Sequence, residues 1–93
     1  MSPSARPRLA KKAMLRRDKQ TGKDVLLYPE KGLVLNPTGA AILKLCDGER
    51  SFDAIVAALH ENFGDSAPVD LEQEVDRFLR SLGERGLVEG LEP

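Results

Sequence analysis

The sequence predicts an α+β domain of winged helix-turn-helix type, in which a three-stranded antiparallel β-meander is followed by three α-helices. Two observations carry this expectation. Apolar residues alternate roughly every second position up to Leu35 and recur at a spacing of about 3.6 beyond Asn36. Capping residues at Asn36, Ser51 and Asp70 then mark three successive helix starts. With 93 residues the chain has room for one modest core, so helices stacked on a small sheet are the natural arrangement.

Met1 to Arg8 holds two prolines, small residues and two arginines, and reads as a loose arm ahead of a single domain over residues 9–93. Leu9 to Arg17 reads as a first strand, because Ala13 and Leu15 alternate with Lys12 and Arg16. The polar run Asp18 to Lys23, with Gly22 near its end, turns the chain into a second strand at Val25-Leu26-Leu27-Tyr28. Pro29-Glu30-Lys31-Gly32 is the next reversal, with Pro29 setting φ and Gly32 able to take a positive φ, and Leu33-Val34-Leu35 is the third strand. Val25, Leu27, Leu33 and Leu35 share one sequence parity, yet Leu26, Tyr28 and Val34 make the other parity apolar as well. Three helices can cover one sheet face fully but hardly two, so a second subunit or a bound chain is expected on what remains.

Asn36-Pro37 opens the first helix with a cap and a proline at N1, and the helix runs through Ala41, Ile42, Leu45 and Cys46 to stop at Asp47-Gly48. Ser51 caps a second helix whose stripe is Phe52, Ile55, Val56, Leu59 and Phe63, closed by Gly64. Asp70 caps the third, with Gln73 in the capping-box position and a stripe of Leu71, Val75, Phe78, Leu79 and Leu82. Gly86 ends it, and Leu87-Val88 can fold back onto the core.

Composition narrows the function. No stretch approaches the ~20 apolar residues of a membrane helix, and the N-terminus has no apolar export segment, so no membrane partner is expected and the location reads as cytoplasmic. The single cysteine, Cys46, suits a reducing compartment and lies on an apolar stripe, where a thiol packs as a small hydrophobe. His60 is the lone histidine and has no second ligand at metal spacing, so no metal site, no cofactor and no catalytic residue are expected. The glycines form no phosphate-cradling loop. A winged helix could instead be a DNA-binding regulator, but the third helix sets five acids against three arginines, and a net acidic helix repels phosphates. Residues 1–44 carry ten Lys/Arg against three Asp/Glu, and residues 45–93 carry four against twelve. Such oppositely charged halves suit complementary docking, including docking of a second copy as a homodimer, or simply solvate themselves.

The runs Leu27-Tyr28-Pro29-Glu30-Lys31-Gly32-Leu33-Val34-Leu35-Asn36, Ile42-Leu43-Lys44-Leu45-Cys46-Asp47-Gly48 and Val75-Asp76-Arg77-Phe78-Leu79-Arg80-Ser81-Leu82, followed by Gly86-Leu87-Val88, resemble the PqqD family over about residues 8–89. That resemblance implies a non-catalytic peptide chaperone of pyrroloquinoline quinone (PQQ) biosynthesis, a recognition element that binds the precursor peptide PqqA and presents it to the radical S-adenosylmethionine (SAM) enzyme PqqE. It implies a peptide added as a strand along Lys31 to Leu35, in a groove bounded by the helix Asp70 to Glu84. The expected peptide-binding residues are Leu33, Val34 and Leu35 at the strand edge and Glu74, Arg77, Phe78 and Ser81 on the helix. Leu33, Leu35 and Phe78 are expected to be core residues as well, and Glu74 stands where the family pattern favours Asp. An adaptor for another modified-peptide pathway fits the same residues.

Overall fold

The computed structural model describes residues 1–91. The chain runs β1 (Arg8–Leu9), β2 (Met14–Arg17), β3 (Asp24–Tyr28), β4 (Lys31–Val34), α1 (Pro37–Lys44), α2 (Phe52–Phe63), a 3-10 turn (Gly64–Ser66), α3 (Leu71–Glu84) and β5 (Val88–Glu89). β2, β3 and β4 form the expected three-stranded antiparallel meander, and three helices follow it. A second, two-stranded sheet pairs β1 with β5, a connection between the chain's two ends that local patterning does not announce.

The segment expected as one strand over Leu9 to Arg17 is two strands. Between them the chain turns at Ala10 to Ala13, where the Ala13 N–H donates to the Ala10 carbonyl at 3.0 Å and the Ala10 N–H donates to the Leu87 carbonyl at 2.9 Å. Within residues 1–8, read from the sequence as a loose arm, Ala5 is 1% exposed and Pro7 is fully buried, while Pro3, Ser4, Arg6 and Arg8 are exposed. The physical reason lies in α2. The first N–H groups of a helix have no intrahelical acceptor. Here the Phe52 and Asp53 N–H groups donate to the carbonyls of Ala5 (2.7 Å) and Pro3 (3.1 Å), and the Ser51 hydroxyl takes the Ala54 N–H at 3.1 Å. The N-terminal segment thus completes the cap that Ser51 begins.

The β3–β4 hairpin corrects a second expectation. Tyr28 pairs with Lys31, so Pro29 and Glu30 are the two loop residues. Proline cannot take the positive φ that type I′ and II′ turns need at the first loop position, and the left-handed residue is therefore the second. Glu30 sits there at φ 63°, whereas Gly32 lies within β4. Gly32 instead leaves room for its cross-strand partner: a Cβ there would stand 3.3 Å from Leu27 Cδ2.

Register decides the faces. Leu26 pairs with Leu15 and Leu33, while Val25 pairs with Arg16 and Val34, and Leu27 with Met14 and Gly32. An odd residue of β3 thus always opposes an even one of β4, so sequence parity does not carry across the hairpin. Leu26 is fully buried against the helices, with Ile42, Phe52, Ile55, Leu59, Val75 and Leu79 in the same core. Asn36 caps α1 by accepting the Gly39 N–H at 2.7 Å, with Pro37 at N1. α1 ends at Lys44, two residues short of the expected Cys46. Asp70 precedes α3 without a side-chain cap hydrogen bond, contrary to the capping box read from the sequence. Gly86, at φ 73°, turns the chain so that Leu87 and Val88 fold into the core as expected. Among the described residues no helix is long and apolar enough to cross a membrane.

Candidate functional site

β4 is an edge strand: β3 pairs with it on one side, and nothing among the described residues pairs with the other. The Leu35 N–H donates to the Asp24 carbonyl at 2.9 Å, which orients the ladder. Because successive residues of an antiparallel strand alternate in hydrogen-bonding direction, Leu33 and Leu35 turn their backbone groups to β3. Gly32 and Val34 are left with N–H and C=O pointing outward. Of the three edge residues expected, Val34 therefore has the free backbone, and Gly32 joins it unforeseen. Leu33 is half-buried opposite Leu26, and Leu35 is a core residue just beyond β4.

On α3, Glu74, Arg77, Phe78 and Ser81 follow the i, i+3, i+4, i+7 spacing of one helix face, and only Phe78 is partly buried. Glu74, Arg77 and Phe78 border an open cleft with Asn36, Thr38 and Gly39 at the start of α1 and Pro68 before α3. Ser81 continues the stripe outside it. The cleft closes on Gly39, where a Cβ would lie 3.2 Å from Phe78 Cζ and 3.2 Å from Asn36 Oδ1. The Arg77 guanidinium stands 3.7 Å from the Asp70 carboxylate, an exposed pair that holds little energy. Val34 and Leu35 border a second depression with Asn36, Pro37 and Lys44. There the Asp24 carboxylate sits between Arg17 (3.7 Å) and Lys44 (3.6 Å).

Of the seven expected residues, Val34 and Leu35 thus border one depression, Glu74, Arg77 and Phe78 the other, and Leu33 and Ser81 neither, with Asn36 touching both. Asn36 and Gly39 were missed as site residues. The signal for Gly39 was present: a glycine three residues into a helix costs ~1 kcal/mol relative to alanine, and close approach of another element is the usual reason. For Asn36 the sequence pattern announces only the cap.

The other reactive groups lie elsewhere. Cys46 is buried, its Sγ 3.3 Å from the Ile42 carbonyl, and burial, aided by the charge of Asp47, pushes the thiol up to about 12. His60 is exposed on α2. The Asp47 carboxylate accepts the Arg50 and Glu49 N–H groups at 3.0 and 2.9 Å, which holds its pKa below the usual range.

Residues 25–88 match the family model of Coenzyme PQQ synthesis protein D (PqqD). A "PqqA binding protein" of Azotobacter vinelandii is 49% identical over 65 residues, covering 70% of this chain and 68% of that protein. One of Rhizobium meliloti is 34% identical over 90 residues, covering 96% and 90%. The solution NMR structure of the PqqD part of Methylobacterium extorquens PqqCD, described as a functional, stand-alone recognition element for ribosomally synthesised and post-translationally modified peptides, superposes with a TM-score of 0.73. It is 32% identical and covers 96% of this chain and 99% of that one. TbiB1, solved with the TbiA(beta) leader peptide, shares the fold at a TM-score of 0.72 and 22% identity, covering 92% of this chain and 99% of its own.

Proposed function

Since this chain belongs to the PqqD family, we propose that it binds the precursor peptide PqqA as an added strand on the free edge of β4 and presents it to the radical SAM enzyme PqqE. The role is binding and delivery, without catalysis by this chain, and the lone buried thiol of Cys46 suits a reducing cytoplasm. The observation that carries the reading is the outward-facing backbone of Gly32 and Val34 on a strand whose outer edge is unpaired among the described residues. A peptide strand there would find main-chain partners for affinity. The cleft of Phe78, Arg77 and Glu74, and Ser81 beyond it, would take side chains for specificity. Leu33 and Leu35 contribute by holding β4 to the core, with their side chains packed behind the edge. The names of the relatives support PqqA as the peptide.

The test is a titration of isotopically labelled protein with PqqA, followed by backbone amide shifts, with a Val34→Pro variant beside it. Proline removes one outward N–H while sparing the bonds to β3, since edge positions tolerate it. The expected result is shifts over Lys31 to Leu35 and Glu74 to Ser81, with affinity about tenfold weaker in the variant, the size of one lost hydrogen bond. Saturating peptide that moves no amides would rule the reading out.

A further inference from the structure

A glycine inside a β-strand loses backbone entropy and packs no side chain, so it marks a bulge, a backbone that only glycine adopts, or the close approach of another chain. Gly32 in β4 has neither of the first two reasons. Its φ lies outside the left-handed region. The β3–β4 pairing runs one to one from Tyr28–Lys31 to Val25–Val34, with no extra residue on either strand. Nor does the fold itself forbid a side chain there. The nearest atoms to a Cβ at Gly32 are Leu27 Cδ2 at 3.3 Å and Val25 Cγ1 at 3.5 Å, and Leu27 is 41% exposed, with room to turn aside. These neighbours also fix the side: the missing side chain belongs to the outer face of the sheet, opposite the helices that bury Leu26.

On that face Met14, Leu27 and Gly32 form one row across the three strands, and Arg16, Val25 and Val34 form the next. Val34 closes its row at the edge with its own side chain. Gly32 leaves its row open, so that Leu27, and Met14 behind it at 49% exposed, can be reached from the edge. Charge is scarce here. Of the strand residues on this face only Arg16 is ionised, and it lies in the other row on the strand farthest from β4, with its Nε 2.9 Å from Met14 Sδ.

We propose that Gly32 is the floor of a side-chain subsite on the outer face, and that its occupant is a large apolar side chain, aromatic or long aliphatic, of the precursor peptide held on β4, an inference that rests on the peptide-binding reading above. Directly opposite residues of paired strands point to the same face, whichever way the added strand runs. The peptide residue opposite Gly32 therefore projects onto this face. Neighbouring strands lie about 4.8 Å apart, so only a long side chain crosses the glycine to reach Leu27. A ring or long aliphatic chain lying there covers the bare glycine backbone and takes apolar surface of Leu27 out of water, as aromatic partners do for edge glycines. A charged side chain would be desolvated with no partner in the row. The α3 cleft lies on the side of the sheet where the helices pack, so successive peptide residues are read in turn by the cleft side and by the outer subsite.

The experiment uses the full chain with PqqA and reads contact and affinity separately. Isotope-filtered NOE spectra of labelled protein with unlabelled PqqA detect contacts from the Leu27 methyl groups, and calorimetry compares the unaltered chain with Leu27→Ala. PqqA peptides with single large apolar residues replaced by alanine, titrated into both proteins, complete a double-mutant cycle. The expected result is NOEs from Leu27 to one large apolar peptide side chain and affinity about fivefold weaker in Leu27→Ala, the size of a cross-strand pair. That penalty should vanish when the same peptide residue is alanine. PqqA that shifts the Gly32 and Val34 amides, gives no NOE to Leu27 and binds Leu27→Ala within twofold of the unaltered chain overturns the subsite while the strand-addition reading stands. NOEs from Leu27 to a small or charged peptide residue overturn it too. The NOE arm needs only the unaltered chain, so it decides the matter even if the variant folds poorly. PqqA that moves no amides fails in the first titration instead, and takes down the peptide reading and the subsite together.

Discussion

On the inner face of the sheet Leu26 is fully buried among residues of all three helices, whereas one position along, on the outer face, Leu27 keeps 41% of its surface in water. Both are leucines of the same strand, each with two cross-strand partners. The difference is what lies opposite: α1 packs on β3 from one side, and nothing among the described residues covers the other. Burial turns one leucine into fold stability. Exposure leaves its neighbour available to a partner, at little cost to the fold when it is changed.

The largest expected effect tests that contrast directly. Leu26→Ala should destabilise by ~2–5 kcal/mol, because it loses buried methyl groups and leaves a cavity in a close-packed core. Leu27→Ala should cost ~0.5 kcal/mol or less, as exposed substitutions do. Urea denaturation of both variants measures the gap, and equal losses would mean that the outer face is covered. A smaller effect is expected at Asn36, whose side chain caps α1 two residues beyond the end of β4. Removing its cap in Asn36→Ala should cost about 1 kcal/mol, read as a lower melting temperature. The smallest expected change is a gain. Glu30 holds a left-handed conformation that carries a steric penalty for any residue with a Cβ, so Glu30→Gly should relieve strain while adding unfolded-state entropy. A net stabilisation of ~0.5 kcal/mol or less in the same denaturation series is the expected balance. A loss there would mean that entropy outweighs strain in this turn.

Much of this architecture was legible in the residues. The meander, the caps at Asn36 and Ser51, the α2 and α3 stripes and the return of Leu87-Val88 all follow from local patterning, in which each residue's role depends on neighbours a few positions away. The candidate site was legible in part. The stripe Glu74, Arg77, Phe78 and Ser81 is a helical spacing, and the fold keeps it on one face. Which backbone groups of β4 point outward is a matter of ladder phase, and that phase is set by the Leu35 bond to Asp24, outside the reach of composition.

What the amino-acid order determines by itself, then, is the type and order of the main elements, the oppositely charged halves, and the resemblance that names the family. What only the tertiary structure decides is everything that joins distant positions: the pairing of β1 with β5, the capping of α2 by the carbonyls of Pro3 and Ala5, and the close approach of Phe78 to Gly39. The physical reason is the same in each case. Small residues and prolines such as Ala5 and Pro7 have no periodicity of their own to advertise, and they are buried because the unpaired N–H groups of α2 and the edge of β5 hold the backbone beside them.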